Sequence, residues 1–428
     1  MFEGSSTVFE RSHRKVIRSV IATLSAGVLV VGTVGCSAGS ADSSVSVSAS
    51  SSSSSAGQTE ASEASTTNTE LSAGSVTVSV GNKQVTYNAA YLVDGIDATI
   101  DGGTYRAAEA DEVVFLVVND GSLTITNASI NKSGDAASSD SERTSDVSDE
   151  YNFYGANSAI VVVGDGSSAT VDGTTITTTS SGSNAVVAVD GAEAVVTSTT
   201  IDTSGNSSRG LHATYAGTIT ASDMTITTQG SHSAAVATDR GGGTVSVTGT
   251  NVFNTNGDGS PLVYSTGDIS VDGLSGTAGQ SQVVVVEGKN SATISDADVT
   301  ASGDDAVMIY QSMSGDAADS DAVNNVGAVT ITDSTISYTG SGPVFYFTNT
   351  TGELELTNVV VDSSSGALAL ATEDRWGTEG SNGAAVTWTV TGSNLTGTIE
   401  AGDSSSIAII RGSDASIEGD TSGSVTIG

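Results

Sequence analysis

Short apolar runs separated by Gly, Ser, Thr and Asn recur along this 428-residue chain at a fixed spacing. Within residues 168–267 one phrase is written four times: SATVDGTTITTTSSGSNAVVAVDG, AVVTSTTIDTSGNSSRGLHATYAG, TITASDMTITTQGSHSAAVATDRGG and TVSVTGTNVFNTNGDGSPLVYSTG. Each copy holds a β-branched strand, a polar turn, a second apolar strand and a Gly turn. Aligning the apolar residue that closes the first strand gives Ile176, Ile201, Ile226 and Val252, a period of 25, 25 and 26 residues. Self-similarity at this period is the mark of stacked supersecondary units, each burying its apolar face against its neighbours. The pattern predicts an all-β, single-stranded right-handed parallel β-helix of about 12 coils, each of about 25 residues.

A paired signature, apolar-x-x-x-x-apolar, extends the register in both directions. It falls at Ile100 and Tyr105, Ile125 and Ile130, Ile294 and Val299, Ile331 and Ile336, Leu356 and Val361, and Val390 and Leu395. Leu274 to Val299 again spans 25 residues. Three intervals are longer, at 46, 37 and 34 residues, which places insertions near 136–152, 312–325 and 373–383. Insertions in a solenoid map to loops on one face and commonly carry its function.

Composition sharpens this picture. Aromatic residues make up only 4%, proline occurs twice, and glycine 51 times, which suits a narrow aliphatic core bounded by turns that need positive φ. One elongated domain over 75–428 accounts for the length, because a solenoid grows without splitting. Ahead of it, residues 37–74 form a Ser/Ala/Thr tract too poor in large apolar residues to bury a core, expected to be a disordered tether. Residues 1–36 read as an export signal. A basic segment with Arg11, Arg14, Lys15 and Arg18 precedes an apolar run that ends at Gly35 and Cys36, the only cysteine. That arrangement resembles a bacterial lipoprotein signal, which implies lipidation of Cys36 and a membrane-anchored, extracellular protein. With a single cysteine there is no intrachain disulfide, so stacking alone must hold the fold. At 75–93, two apolar runs flank Gly81, Asn82 and Lys83, a hairpin signal placed to cover the first coil's open edge.

The net charge of −36 excludes nucleic acid as a partner, since phosphate contacts require clustered Lys and Arg. The corner after each coil's second strand gathers residues that a turn does not need: Asp190, Tyr215, Asp239 with Arg240, Glu287 with Lys289, Gln311, Asn349, Glu373 with Asp374, Arg375 and Trp376, and Arg411. Four of the nine basic residues beyond Cys36 fall on this edge. A tryptophan beside charged groups can stack on a sugar face while those groups take its hydroxyls, so this edge is the candidate glycan-binding site. The competing account is turn residues pairing between coils. Asp316, Asp319 and Asp321 in the second insertion are hard oxygen ligands of the kind Ca²⁺ takes, but they match no calcium-loop pattern, and no other cofactor is implied. Gly303, Asp304 and Asp305 look faintly like the paired-aspartate turn of polygalacturonases, without the His and Arg-x-Lys that should accompany it.

Several longer phrases resemble secreted right-handed β-helix proteins, adhesin-like or pectin-lyase-like, of Gram-positive bacteria. They are RGLHATYAGTITA (209–221), SHSAAVATDRGGG (231–243), GDGSPLVYSTGDI (257–269), VVEGKNS (285–291), YQSMSGDA (310–317) and DRWGTEGSNG (374–383). The resemblance implies a cell-surface binding or adhesion module facing glycans or a surface partner. A polysaccharide lyase or hydrolase acting on acidic glycans, and a structural surface stalk, are the alternatives.

Overall fold

The computed structural model describes residues 68–136, 147–312, 326–375 and 382–428. Cys36, the export signal, most of the tether, Asp316, Asp319, Asp321 and Trp376 lie outside the described residues. The rest is a right-handed parallel β-solenoid of about 12 turns. Each coil contributes an opening, a middle and a closing strand, the first two to one large sheet and the third to a second; Glu193–Thr197, Thr200–Thr203 and Leu211–Thr214 form one such set. Within the coils, strands pair in parallel with their equivalents in neighbouring coils, as Ile176 does with Ile201 and Ile201 with Ile226.

The five-residue signature follows from the corner between opening and middle strands. In a regular coil the second residue after the last inward one turns left-handed, and the chain re-enters the core three residues later. That corner residue has positive φ in coil after coil: Asn127 (55°), Gly173 (56°), Ser198 (47°), Asp223 (57°), Asp296 (49°), Asp333 (49°) and Asn358 (55°). Asn, Asp and Gly tolerate this conformation best, which explains why the turns are so rich in them.

Inward residues then form columns. One runs Tyr105, Ile130, Ile176, Ile201, Ile226, Phe253, Gly276, Val299, Ile336 and Val361. Two expected members are corrected. Val252 is 36% exposed, and Phe253 takes its place, because the corner at Gly249 and Thr250 holds one extra residue and side-chain parity flips. Leu274 pairs with Ala297, leaving Gly276 between Phe253 and Val299, where a Cβ would strike the Phe253 carbonyl. A large ring beside a glycine keeps the column filled without a clash.

Residues 68–74, expected to belong to the tether, instead lie against the first coil. Asn68 brackets Asp101, donating to its carbonyl (3.1 Å) and accepting from its N–H (2.8 Å), while the Thr69 N–H bonds Thr99 O (2.8 Å). Asn68 and Thr69 thus satisfy the open edge of the first opening strand, while Ser72 O accepts from the Leu92 N–H (3.0 Å). The hairpin of Gly74–Val80 and Lys83–Asp94 is present, and its second strand begins the closing sheet by pairing with Glu112–Val118. Toward the C-terminus the coils shorten, as Val386, Ile407 and Val425 pair in turn.

If the register is as described, Phe253→Ala should cost about 3–5 kcal/mol, whereas Val252→Ala should change stability by less than about 0.5 kcal/mol. Chemical denaturation of both variants checks this, and a reversed order would refute the register.

Candidate functional site

In most antiparallel folds the far side of a sheet meets water, but strands such as Glu112–Val118, Ile160–Val163 and Val186–Val189 are buried nearly throughout. Their inward residues join the solenoid core, while Leu116, Val161, Val163, Val187 and Val189 form a second apolar cluster outside it. The hairpin and residues 147–158 of the first insertion cover that cluster. The short helix Asp149–Asn152 leads into Phe153 and Tyr154, which are 5% and 4% exposed.

Several predicted ligand residues hold this strap in place. Arg240 pairs with Asp149 (2.7 Å) and lies 4.0 Å over the Phe153 ring. Tyr215 stacks on Tyr154 at 5.2 Å, with their hydroxyls 2.8 Å apart, and burial pushes its phenol well above the ordinary range. Asp239 accepts from Arg209 Nη2 (3.1 Å), whose other nitrogen reaches Asn152 (3.1 Å), and it stands 3.5 Å from His212 Nε2. Burial, then Arg209, pulls His212 well below its usual value, so it stays neutral inside this cluster.

Further along the same face the strap ends and a phenol and carboxylate cluster begins. Tyr264 and Tyr310 both donate to Glu287 Oε2, at 2.6 and 2.8 Å, and Ser312 donates its N–H (3.3 Å) and its hydroxyl to Glu287 Oε1. Glu287 is 2% exposed, and these donors offset the cost of burying its charge. Tyr346, on the next closing strand, donates to Asp374 Oδ2 (2.7 Å). The backbone N–H of Arg375 donates to Asp374 Oδ1 (2.6 Å), and Gln311 O accepts from Asn349 (2.5 Å). Lys289 follows the Gly288 turn (φ 74°). The second and third insertions leave this face after Ser312 and Arg375.

Arg411 is a correction. It ends the strand Ser406–Arg411 and pairs with Val390 on an opening strand, away from the other candidates, and its Nε donates to the Gly428 carbonyl (3.1 Å). The shortened C-terminal coils made an opening strand look like a closing one. The three tyrosines were missed because each sits in an apolar run, as in VYS, VMIY and FYFT, where only the inward or outward parity separates core from surface.

Asp305 lies beside this cluster. It is 5% exposed; Oδ2 accepts from Gln282 (3.3 Å), and Oδ1 has no hydrogen-bond partner. Burial, reinforced by Asp304, outweighs the Gln282 bond and raises its pKa from 3.8 to about 7. Among the described residues, no three His, Cys, Asp or Glu side chains assemble as a metal site.

No protein-family profile matches the chain, and no curated protein does. Among solved structures, the catalytic domain of a GH87 α-1,3-glucanase in complex with tetrasaccharides is similar over 77% of this chain and 63% of its own. The identity is 11% and the TM-score 0.38. The chain therefore spans less than two thirds of that domain's length.

Two outcomes follow. Arg240→Ala should loosen the strap, costing about 1 kcal/mol and raising amide exchange across 147–158; unchanged exchange there would show that the strap does not depend on it. The folded state keeps the Asp305 proton up to about pH 7, so its contribution is full below about pH 4 and is lost as pH rises through 7, by at most about 4 kcal/mol. Asp305→Asn should therefore raise the melting temperature at pH 8 and have little effect at pH 4; an equal effect at both would refute the assignment.

Proposed function

We propose that this protein is a carbohydrate-binding β-helix that takes its ligand on the outer face of the closing sheet, around Tyr264, Tyr310 and Tyr346. The observation that carries the reading is the set Tyr264, Tyr310 and Tyr346, held on that face by Glu287 and Asp374. Tyr264 and Tyr346 are part-exposed rings in one outward column, separated along it by Val285 and Met308. Phenol faces stack on pyranose rings while the part-exposed Asp374 carboxylate accepts sugar hydroxyls and the buried Glu287 only fixes the rings. The carboxylates favour neutral glycans over acidic ones, which this chain, at −36, repels. The export signal and Cys36 support display at a cell surface through a lipid anchor, where adhesion to glycans is the natural use.

Hydrolysis is a second reading, and Asp305 favours it. A carboxyl that keeps its proton near neutral pH can deliver it to a glycosidic oxygen as a general acid.

Affinity electrophoresis in gels containing neutral and acidic polysaccharides tests the first reading. Retardation should appear with a neutral glycan, and Tyr346→Ala and Asp374→Asn should each weaken it about tenfold. Retardation that survives both changes would remove this face from consideration, and release of new reducing ends would move the assignment to hydrolysis.

A further inference from the structure

At the other end of the closing sheet, a cavity of about 470 Å³ opens between the hairpin and the corners of three successive coils. Thr77, Val78 and Ser79 of the hairpin form one wall, and Asn119, Asp120, Asp165, Ser167 and Asp190 contribute to the other. The volume lies within the range of about 300–1,000 Å³ found for small-molecule sites. Two features separate it from an ordinary solvated turn. Its described lining carries three carboxylates and no Lys or Arg. Ser167, also on the lining, is 1% exposed, and its hydroxyl has no hydrogen-bond partner, a cost that an occupant of the cavity would remove.

The local backbone is shaped around the same point. Asp120 and Asp190 adopt left-handed conformations (φ 62° and 59°), and Gly166 (φ 87°) lets the Asp120 carboxylate lie where any Cβ would collide with it, next to Ser167. The three aspartates do not converge as an inner-sphere metal cluster. A bare cation therefore matches the cavity less well than a larger ligand carrying one positive charge among several hydroxyls.

We infer that this cavity binds an amino sugar with a free ammonium group, such as an unacetylated hexosamine unit. The ammonium is taken by the aspartates, and the ring hydroxyls by Thr77, Ser79, Asn119 and Ser167. Charge-assisted hydrogen bonds supply most of the affinity, and removing the charge by N-acetylation weakens binding at least about tenfold. The site shares no residue with the tyrosine face, so it stands or falls independently of it.

Titration calorimetry of the full chain at low salt, with glucosamine, N-acetylglucosamine, glucose and ethylamine in parallel, tests the inference. Glucosamine should bind at least about tenfold more tightly than the other three. Asp120→Asn and Asp190→Asn, which keep the left-handed turns, should each weaken it about tenfold, and Ser167→Ala should weaken it severalfold. Asp298→Asn, an exposed carboxylate outside both sites, should leave it unchanged. Melting curves that match the parent establish that the variants fold. Equal heats from ethylamine, binding indifferent to both aspartate changes, or competitive displacement by CaCl₂ at equal ionic strength would each overturn it. The first two would reduce the effect to general attraction of cations, and the third would make the site a metal site.

Discussion

Every feature of this protein depends on parallel strands lying directly over one another at a spacing of about 4.8 Å. That spacing makes residues of equal phase into rows, and a row is stable only if all its members agree in polarity and size. Inward rows are therefore aliphatic, as with Ile176, Ile201 and Ile226, and corner rows carry Asn, Asp or Gly where the chain turns left-handed. Polar rows follow the same rule. The N–H groups of Ser183, Ser208 and Ser233 each donate to the serine hydroxyl one coil on, at 2.9–3.0 Å, so buried backbone groups are satisfied by a ladder of side chains.

The closing sheet departs from this economy because its outer face is used as well. Near the hairpin, apolar outward residues are roofed by the strap, and the cations Arg209 and Arg240 hold the roof down. Beyond the strap, outward positions become tyrosines and carboxylates. One sheet thus changes from an internal layer to a chemically equipped surface without any change in backbone geometry, solely through which side chains occupy the outward parity.

The repeat was legible because its signal is redundant: many coils state the same five-residue interval, so a single irregular corner does not hide the rest. Where one coil must be read alone, the signal fails. An extra residue at Gly249 and Thr250 exchanged Val252 for Phe253, and the compressed C-terminal coils put Arg411 on the wrong sheet. The site was legible only as an edge. Asp239, Arg240 and Tyr215 stood out in the sequence as candidate ligand residues, but sequence has no way to show that residues 147–158 fold back to meet Arg240 and Tyr215. Tyr264, Tyr310 and Tyr346 stayed hidden because outward and inward aromatic residues look alike within an apolar run. Nothing in the sequence sets Asp120 and Asp165 apart from the many other turn acids, because the hairpin wall opposite them is remote along the chain.

The strap has a mechanical consequence. An unadorned solenoid can be peeled one rung at a time, since each rung grips only its neighbours. Here Tyr151 is bonded to Asp111, and its neighbours in the strap to Arg209, Thr214, Tyr215 and Arg240, so one segment is riveted to several rungs at once. A pull on the N-terminal side must shear these rivets together before any rung can come away, whereas the opposite end has no such fastening among the described residues and frays first.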